Sequence, residues 1–501
     1  MIEREVKLLV DASFEFPNLD DILDGARATR VEALHQHAVY FDTEDLRLTR
    51  AGVSLRHRSD DDWTVKLPVA AHAGLLTRGE YRLPGDFGDP PAAARGLVRS
   101  RARRALLGPV ATVDTERSRI FLTDPAGHTV AEVTDDRVEA RVAGGEALRF
   151  REVEVELAAD VRVDVAAAIA DALVGAGATL APPQAKVARA LGPAGAEPPD
   201  VATPSAAAVG PRASVEALVR AACAAGVARL VEFDPVVRAT EDSEAVHQAR
   251  VGTRRLREDL RTFGPLLDPA SVGHLRDELG WINGLFGAVR DADVLLARLD
   301  PRVEELPPLE RGPARRVLGR IATERTRART ALLAALDGDR YATLLDDLVA
   351  LVHEPPLRGE IRPDRRATKP AVALAAKSWR KLRRIVRRAT ADGPASDEDL
   401  HRIRKATKRA RYAYEAITPV APEGTKRFAH RLAVLQDLLG DHHDAVVARE
   451  RLAAVATTGS DVREAFAAGD LAGRLLAEEQ LVRDAWPLAW ERVRDARGRM
   501  S

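Results

Sequence analysis

Residues 150–157 read Phe-Arg-Glu-Val-Glu-Val-Glu-Leu, and this run decides how the first part of the chain folds. On a strand, successive side chains point to opposite faces. Glu152, Glu154 and Glu156 therefore share one face, while Val153, Val155 and Leu157 share the other. The apolar row must pack against something, so the glutamate row turns away from that core. Near the N-terminus, Glu3, Glu5 and Lys7 repeat the pattern against Arg4, Val6 and Leu8. Any one such face is ordinarily a solvated sheet surface. Same-face carboxylates stand about 6.8 Å apart, where repulsion is about 0.6 kcal/mol in water and about 2.4 kcal/mol at an effective dielectric of about 20. An exposed strand tolerates the first value. A confined site tolerates the second only with cations present, and hard divalent ions with oxygen ligands meet that need.

Further alternating runs at 2–9, 53–58, 63–67 and 129–133 predict a sandwich or barrel of short strands, with helices over roughly 91–107 and 164–175. The same parity pairs Arg56 with Arg58, Thr64 with Lys66, Arg78 with Glu80, Arg117 with Arg119, and Glu132 with Asp136. Closure of the sheet would turn all of them into one lumen holding carboxylates and fixed cations. Such an interior suits a polyanion gripped by Arg and Lys and bridged to carboxylates through metal. His57, with parity opposite to Arg56 and Arg58, is expected to face outward.

Glu3-Arg4-Glu5-Val6-Lys7 resembles the Glu-x-Glu-x-Lys opening of the CYTH family, the triphosphate tunnel metalloenzymes. Further matches follow in family order: Tyr40-Phe41-Asp42-Thr43, Leu46 through Gly52 leading to Leu55-Arg56-His57-Arg58, Lys66, the Glu152–Glu156 strand, and Lys186 with Arg189-Ala190-Leu191. The resemblance covers about 1–192. It implies an eight-stranded antiparallel tunnel that cleaves inorganic triphosphate, thiamine triphosphate or nucleoside triphosphates with Mg²⁺ or Mn²⁺; one branch cyclises ATP. By the same resemblance, Glu3, Glu5, Glu152 and Glu154 are metal-site carboxylates, joined by Glu156, Glu132 and Asp136. Lys7, Arg56, Arg58, Lys66, Arg117, Arg119 and Lys186 bind phosphate oxygens, and Glu5, Lys7, Arg56 and Arg58 form the catalytic set. Two departures stand out. Ala185 replaces the Ser that often precedes the late Lys, and the His-Phe pair of the cyclase branch is absent ahead of Glu3, which argues against cyclisation.

Residues 193–213 have linker composition, rich in Pro, Ala and Gly. From Ser214 the pattern turns helical, with breaks at Gly264-Pro265, Pro307-Pro308, Pro355-Pro356 and Gly393-Pro394, and predicts an all-α bundle of about ten helices. This half repeats itself. His247, Arg250, Arg254 and Arg257 recur as His401, Arg404, Lys408 and Arg411 at an offset of 154, and Leu285-Phe286-Gly287 with Asp291 recurs as Leu438-Leu439-Gly440 with Asp444 at an offset of 153. The expected domains are 1–192, a linker at 193–213, and a helical domain at 214–498 with repeat halves of about 214–360 and 365–498. Each basic quartet spans an arc of about 80° and about 15 Å of helix. One such stripe is usually a solvated face; its recurrence in the same order points to a shared cleft for an extended polyanion. Lys377, Arg380 and Arg384, in a second basic segment, are candidates for the same ligand. His442-His443 stands where the first copy has Val289-Arg290, but adjacent helical residues face about 100° apart, which argues against joint metal ligation. This half resembles the CHAD domain, and the resemblance implies binding of inorganic polyphosphate.

Composition agrees with two tasks. The 501-residue chain has no net charge, yet residues 1–210 hold 25 Lys+Arg against 33 Asp+Glu, and the remainder holds 51 against 43. The single cysteine, Cys223, excludes an intramolecular disulfide framework, and no apolar run nears the roughly 18 residues of a membrane span. Aromatics are only 4%, too few for base-stacking platforms, and nucleic acid is disfavoured as a partner. The sequence thus predicts a cytoplasmic multidomain α+β triphosphatase, associated with polyphosphate granules through its helical half. The alternatives are a non-catalytic polyphosphate-binding protein and a thiamine or nucleoside triphosphatase. The oligomeric state stays open.

Overall fold

The computed structural model describes residues 2–500 except 21, 24, 60, 70–75, 183, 203–208 and 459–460. Part of the expected linker at 193–213 thus lies outside the described residues. The chain divides into two compact units, 1–200 and 201–501.

The first unit is a closed antiparallel barrel of β1 (Ile2–Val10), β2 (Arg27–Asp42), β3 (Ser54–Arg58), β4 (Asp61–Pro68), β5 (Leu76–Leu83), β6 (Gly108–Thr123), β7 (Thr129–Val142) and β8 (Leu148–Leu157). The strand order is β5-β4-β3-β2-β6-β7-β8-β1, and β1 pairs back onto β5. A short β9 (Thr179–Leu180) adds to β1. Helices α1 (Arg47–Arg50), α2 (Ala92–Ala102), α3 (Val163–Gly175) and α4 (Lys186–Ala190) surround it.

The apolar parity positions find their cover outside the barrel. Leu8, Val133, Val153, Val155 and Leu157 bury against Ile169 and Leu173 of α3. Leu55, Trp63 and Val65 bury against Leu48 of α1 and Leu97 and Val98 of α2. Each such side chain contributes about 1.5–3 kcal/mol. The expected helix over 91–107 stops at Ala102 because Arg103 turns to φ 55 and pairs with Asp200. The Tyr40-to-Gly52 motif also has a local cause. The buried Asp42 carboxylate accepts from the Thr43, Leu48 and Thr49 amides and the Thr49 hydroxyl at 2.7–2.9 Å. It thereby clamps the turn that aims β3 into the barrel.

The second unit holds nine α-helices among the described residues, against about ten expected: α5 (Val215–Ala239), α6 (Ser243–Phe263), α7 (Pro269–Glu304), α8 (Pro308–Asp337), α9 (Asp339–His353), α10 (Thr368–Ala389), α11 (Asp397–Ile417), α12 (Thr425–Thr458) and α13 (Val462–Gly498). The duplication is visible in the element order. Helices α5 to α8 match α10 to α13, 3-10 turns at Gly264–Leu266 and Thr418–Val420 follow α6 and α11, and α9 has no counterpart. Ser214 caps α5, Asp242 caps α6 and Ser396 caps α11, each accepting a backbone N–H. No helix among the described residues is long and apolar enough to cross a membrane.

Helix α6, which carries the first basic quartet, presses onto α5 through glycines. A Cβ on Gly252 would stand 3.0 Å from the Gly226 carbonyl oxygen, and one on Gly226 would stand 2.6 Å from Leu256 Cγ. Gly252→Ala should therefore lower the urea midpoint of the helical unit, read by ellipticity. The expected net loss is about 1–2 kcal/mol, despite a helix-propensity gain near ~1 kcal/mol. An unchanged midpoint would show that the two backbones are not in contact.

Candidate functional site

Closure turns the parity rows into a lumen. Register sets Lys7 opposite Glu154 and Glu5 opposite Glu156, Glu3 opposite Arg78, Lys66 opposite Glu80, Arg117 opposite Asp136 and Asp136 opposite Glu152. Ion pairs follow. Lys66 donates to Glu3 at 2.6 Å and lies 3.0 Å from Glu80. Arg78 donates to Glu5 at 2.5 Å and lies 3.5 Å from Glu3. Arg117 donates to Asp136 at 2.6 and 2.8 Å and to Glu154 at 2.9 Å. Lys7 donates to Glu154 and stands 3.6 Å from Glu5 and 3.7 Å from Glu152. Arg56 donates to the Tyr40 hydroxyl at 3.1 Å, and its buried Nε has no hydrogen-bond partner.

The carboxylates divide into two groups. Asp136, Glu152 and Glu154 can each offer an oxygen to one ion, the three lying within 4.8 Å of one another. Glu3 and Glu5 are held on the other side by Lys66 and Arg78. Of the three carboxylates added to the metal set on resemblance, Asp136 sits in the trio. Glu132 pairs with Arg119 at 2.6 Å, and Glu156 lies in register with Glu5 and Glu132. Arg58 lines the lumen with Arg56, Lys66 and Lys186. His57 faces outward, with its ring 5.3 Å from Trp63 and 5.5 Å from Phe87.

Electrostatics follow from the pairing. Burial pulls the Lys7 ammonium down, but Glu154 and Glu5 outweigh it and raise its pKa. Burial likewise opposes ionisation of Glu154, yet Lys186, Lys7 and Arg117 hold it well below the usual carboxylate range. Glu156 differs: burial, then Glu3, push it up to about 7. Only about 50 Å³ of open space remains among the lumen side chains that include Glu3, Lys7, Arg56 and Lys186, room for a few waters. A larger groove of about 810 Å³ is lined by His37, Asp114, Glu139 and Arg149. Its lining mixes both faces: Gln36 and Thr115 also line the lumen, so the groove opens onto it, while His37 pairs with Asp114 at 2.7 Å and Arg149 with Glu139 at 2.9 Å. Sequence reasoning placed Arg78 and Glu80 on the lumen face but gave them no role, and Tyr40 entered only as part of a motif. Their register opposite Glu3, Lys66 and Arg56 was the missing signal.

In the helical unit, His247, Arg250, Arg254 and Arg404 line one cavity of about 350 Å³ with Arg290, Arg298 and His443. Arg250 lies flat on Gly287, donating to its carbonyl at 3.3 Å, and also pairs with Asp291 at 2.6 Å. Burial first, then Arg254, lower the Lys408 pKa to about 8. His401 meets His443 at 3.1 Å between Nδ1 atoms. Other expected members sit elsewhere. Arg257 packs beside Gly280, and Arg411 pairs with Glu415 at 3.0 Å. Lys377 and Arg384 of α10 line a depression with Glu258 and Arg261 of α6 and Arg409 of α11, and Arg380 and Arg384 line another with Trp490 and Arg494 of α13; neither is the cavity that holds His247 and Arg250. His442 approaches Asp397 at 3.1 Å, close to Glu479, but Arg483 and Arg449 already pair with those carboxylates.

A closed antiparallel tunnel whose lumen alternates carboxylates with Arg and Lys defines a triphosphate tunnel protein, here joined to a duplicated helical domain. The CYTH domain model matches residues 1–190 and the CHAD domain model residues 221–453. Over 479 residues the chain is 33% identical to MT2285, an uncharacterized protein of Mycobacterium tuberculosis, covering 90% of this chain and 88% of the relative. Among solved structures, PptA from Streptomyces chartreusis is 25% identical with a TM-score of 0.47, covering 56% of this chain and 100% of that one. The CHAD domain from the plant Ricinus communis is 27% identical with a TM-score of 0.47, covering 58% and 94%. The chain belongs to the CYTH–CHAD family.

The raised Glu156 carboxyl makes a stability prediction. Its folded pKa of about 7 exceeds the ordinary 4.5, so ionisation weakens the fold as pH rises through that window. Glu156→Gln should raise the unfolding temperature at pH ~8 in EDTA, by the equivalent of about 1–3 kcal/mol after solvent screening, and the gain should vanish toward pH ~5. No gain at the higher pH would refute the crowding of Glu156 by Glu3, Glu5 and Glu132.

Proposed function

We propose that the barrel hydrolyses inorganic triphosphate, or the end of a short polyphosphate, with Mg²⁺ or Mn²⁺, and that the helical unit binds inorganic polyphosphate. The observation that carries the first part is the lumen itself, where Lys7, Arg56, Arg58, Lys66, Arg78, Arg117, Arg119 and Lys186 interleave with the carboxylates Glu3, Glu5, Glu80, Glu132, Asp136, Glu152, Glu154 and Glu156. A lumen whose cations already face carboxylates must take in further cations with a highly charged anion. The all-oxygen trio Asp136, Glu152 and Glu154 suits a hard divalent ion. When bound there, the metal would neutralise phosphoryl oxygens and activate water. The chain's own groups do the rest. Arg56 and Arg58, which line the lumen, are placed to grip the phosphate chain, Tyr40 orients Arg56, and Lys7 and Arg117 can stabilise charge growing on the leaving pyrophosphate. The paired cations and carboxylates that crowd the lumen suit an inorganic chain of phosphates.

Full-length protein should release phosphate from inorganic triphosphate only with Mg²⁺ or Mn²⁺. Glu5→Gln, which removes the partner of Arg78 and Lys7, should lower kcat by about 10²-fold. Absence of metal-dependent release from every triphosphate tried would leave only binding.

For the helical unit, the carrying observation is a cleft of desolvated cations short of counter-ions. Lys408 faces Arg254, Arg250 and Glu258 from α6 and Arg404 on its own helix. Burial, offset only in part by Asp444, lowers Arg404 as well. A polyanion that restores the Lys408 charge raises its pKa, so binding takes up protons near and above pH ~8. Polyphosphate affinity should therefore fall as pH rises from ~7.5 to ~9.5, up to about tenfold per pH unit, and Lys408→Arg should flatten that slope. An equal slope in both proteins, by fluorescence titration, would place the polyanion away from Lys408.

A further inference from the structure

Lys186 opens α4, a helix of five residues, and its side chain is buried. Its ammonium lies 2.7 Å from Glu152 Oε1, 2.8 Å from Glu154 Oε1 and 2.9 Å from Asp136 Oδ2. These are the same three carboxylates whose oxygens can all reach one ion. The ammonium therefore stands where a divalent ion would stand, and the two cations exclude each other. Displacing Lys186 would not leave the trio bare. Arg117 still bonds Asp136 and Glu154, Lys7 still bonds Glu154, and Arg189 lies 4.0 Å from Glu152. The displaced side chain has a destination, since Lys186 lines the same lumen as Arg56, Arg58 and Lys66. Its attachment is also light. Ala185 at the N-cap supplies no side-chain cap to α4, whereas a Ser hydroxyl at such a position accepts a backbone N–H.

We propose that Lys186 is a tethered cation that fills the Asp136–Glu152–Glu154 site until a divalent ion takes its place, and that metal loading releases it to the phosphate chain. This rests on the metal-dependent reading of the barrel and adds an order to it. Metal comes first, and the lysine becomes a phosphate ligand only afterwards. The unfilled tunnel thereby keeps its phosphate grip incomplete, so metal-free triphosphate meets a lysine already committed to carboxylates.

The test needs no turnover. Mn²⁺ is titrated into full-length protein without phosphate, and the free ion is read by electron paramagnetic resonance. Lys186→Met should bind Mn²⁺ about tenfold more tightly than wild type, because the competing charge is gone. Lys186→Arg, which keeps a cation on the tether, should show no gain, and Asp136→Asn should weaken binding in both backgrounds. A matched unfolding temperature, or the same result with Lys186→Gln, separates the effect from misfolding. Affinity equal to or weaker than wild type in the folded Lys186→Met and Lys186→Gln proteins overturns the proposal while leaving metal dependence standing. No Mn²⁺ binding by wild type or by either variant overturns both.

Discussion

A carboxylate taken out of water costs several kcal/mol unless a cation meets it with good geometry, and in this barrel the cation nearly always arrives from another strand. Glu3 is met by Lys66 of β4, Glu5 by Arg78 of β5, and Asp136 by Arg117 of β6. That constraint ties the fold to its contents. The β1–β5 pairing that closes the sheet is also what brings Arg78 beside Glu3 and Glu5. An open sheet would leave both rows to water. The lumen is thus a set of exchangeable ion pairs with little free volume, and on the proposed function its affinity for a phosphate chain would be a difference between two nearly balanced arrangements of charge. Small changes of one lumen charge should shift that balance strongly.

The helical unit handles charge the other way. Lys7 and Lys186 are buried among carboxylates and have raised pKa values, whereas Lys408 is buried among arginines and is lowered to about 8. The first arrangement is complete without a ligand and must be disturbed to bind. The second has fewer counter-ions than cations, Asp291 and Asp444 against Arg250, Arg254, Arg290, Arg298 and Arg404, and a polyanion would supply the rest. A site that must discriminate and react suits the first, because entry requires a specific exchange. A site that must only hold a long, uniform anion suits the second, because every added phosphate relieves repulsion already present.

Much of this was legible in residue spacing. Period two assigned Glu3, Glu5, Lys7, Arg56, Lys66, Arg117 and the Glu152–Glu156 row to one face, and the recurrence of the basic quartet foretold two equivalent helices. Parity says which face a side chain takes but not which neighbour it meets, since that depends on register and shear. Hence Asp136 belongs with Glu152 and Glu154 while Glu132 goes to Arg119, and neither fate is written in spacing. Strand β2 escaped notice over its first half because residues 27–37 are largely exposed and lack an apolar row. A helical arc likewise gives no account of which helices abut. Lys377, Arg380 and Arg384 are as basic as the quartets, yet they line depressions other than the cavity that holds His247 and Arg250.

The duplicated Leu-x-Gly motifs show what the repeat preserves. Gly287 and Gly440 stand beneath Arg250 and Arg404; a Cβ at Gly287 would lie 3.4 Å from Arg250 Nη2, and one at Gly440 would lie 3.8 Å from Arg404 Nε. Removing the side chain from α7 and α12 at these points lets each guanidinium rest on helix backbone, its apolar plane buried and its edge turned toward the cleft. The two halves then part company one turn later. The first copy places Arg290 beside His247, a permanent cation. The second places His443, held near 4 by burial and Arg404 and so neutral at pH ~7. The adjacent His442 turns to Asp397 instead, as the 100° step between helical neighbours requires. The cleft therefore has a pseudo-twofold frame but an uneven charge, richer at the α6–α7 end. On the proposed function, a polyanion lying across it would meet two unlike ends, and an otherwise featureless chain of phosphates would have a preferred place to be held most tightly.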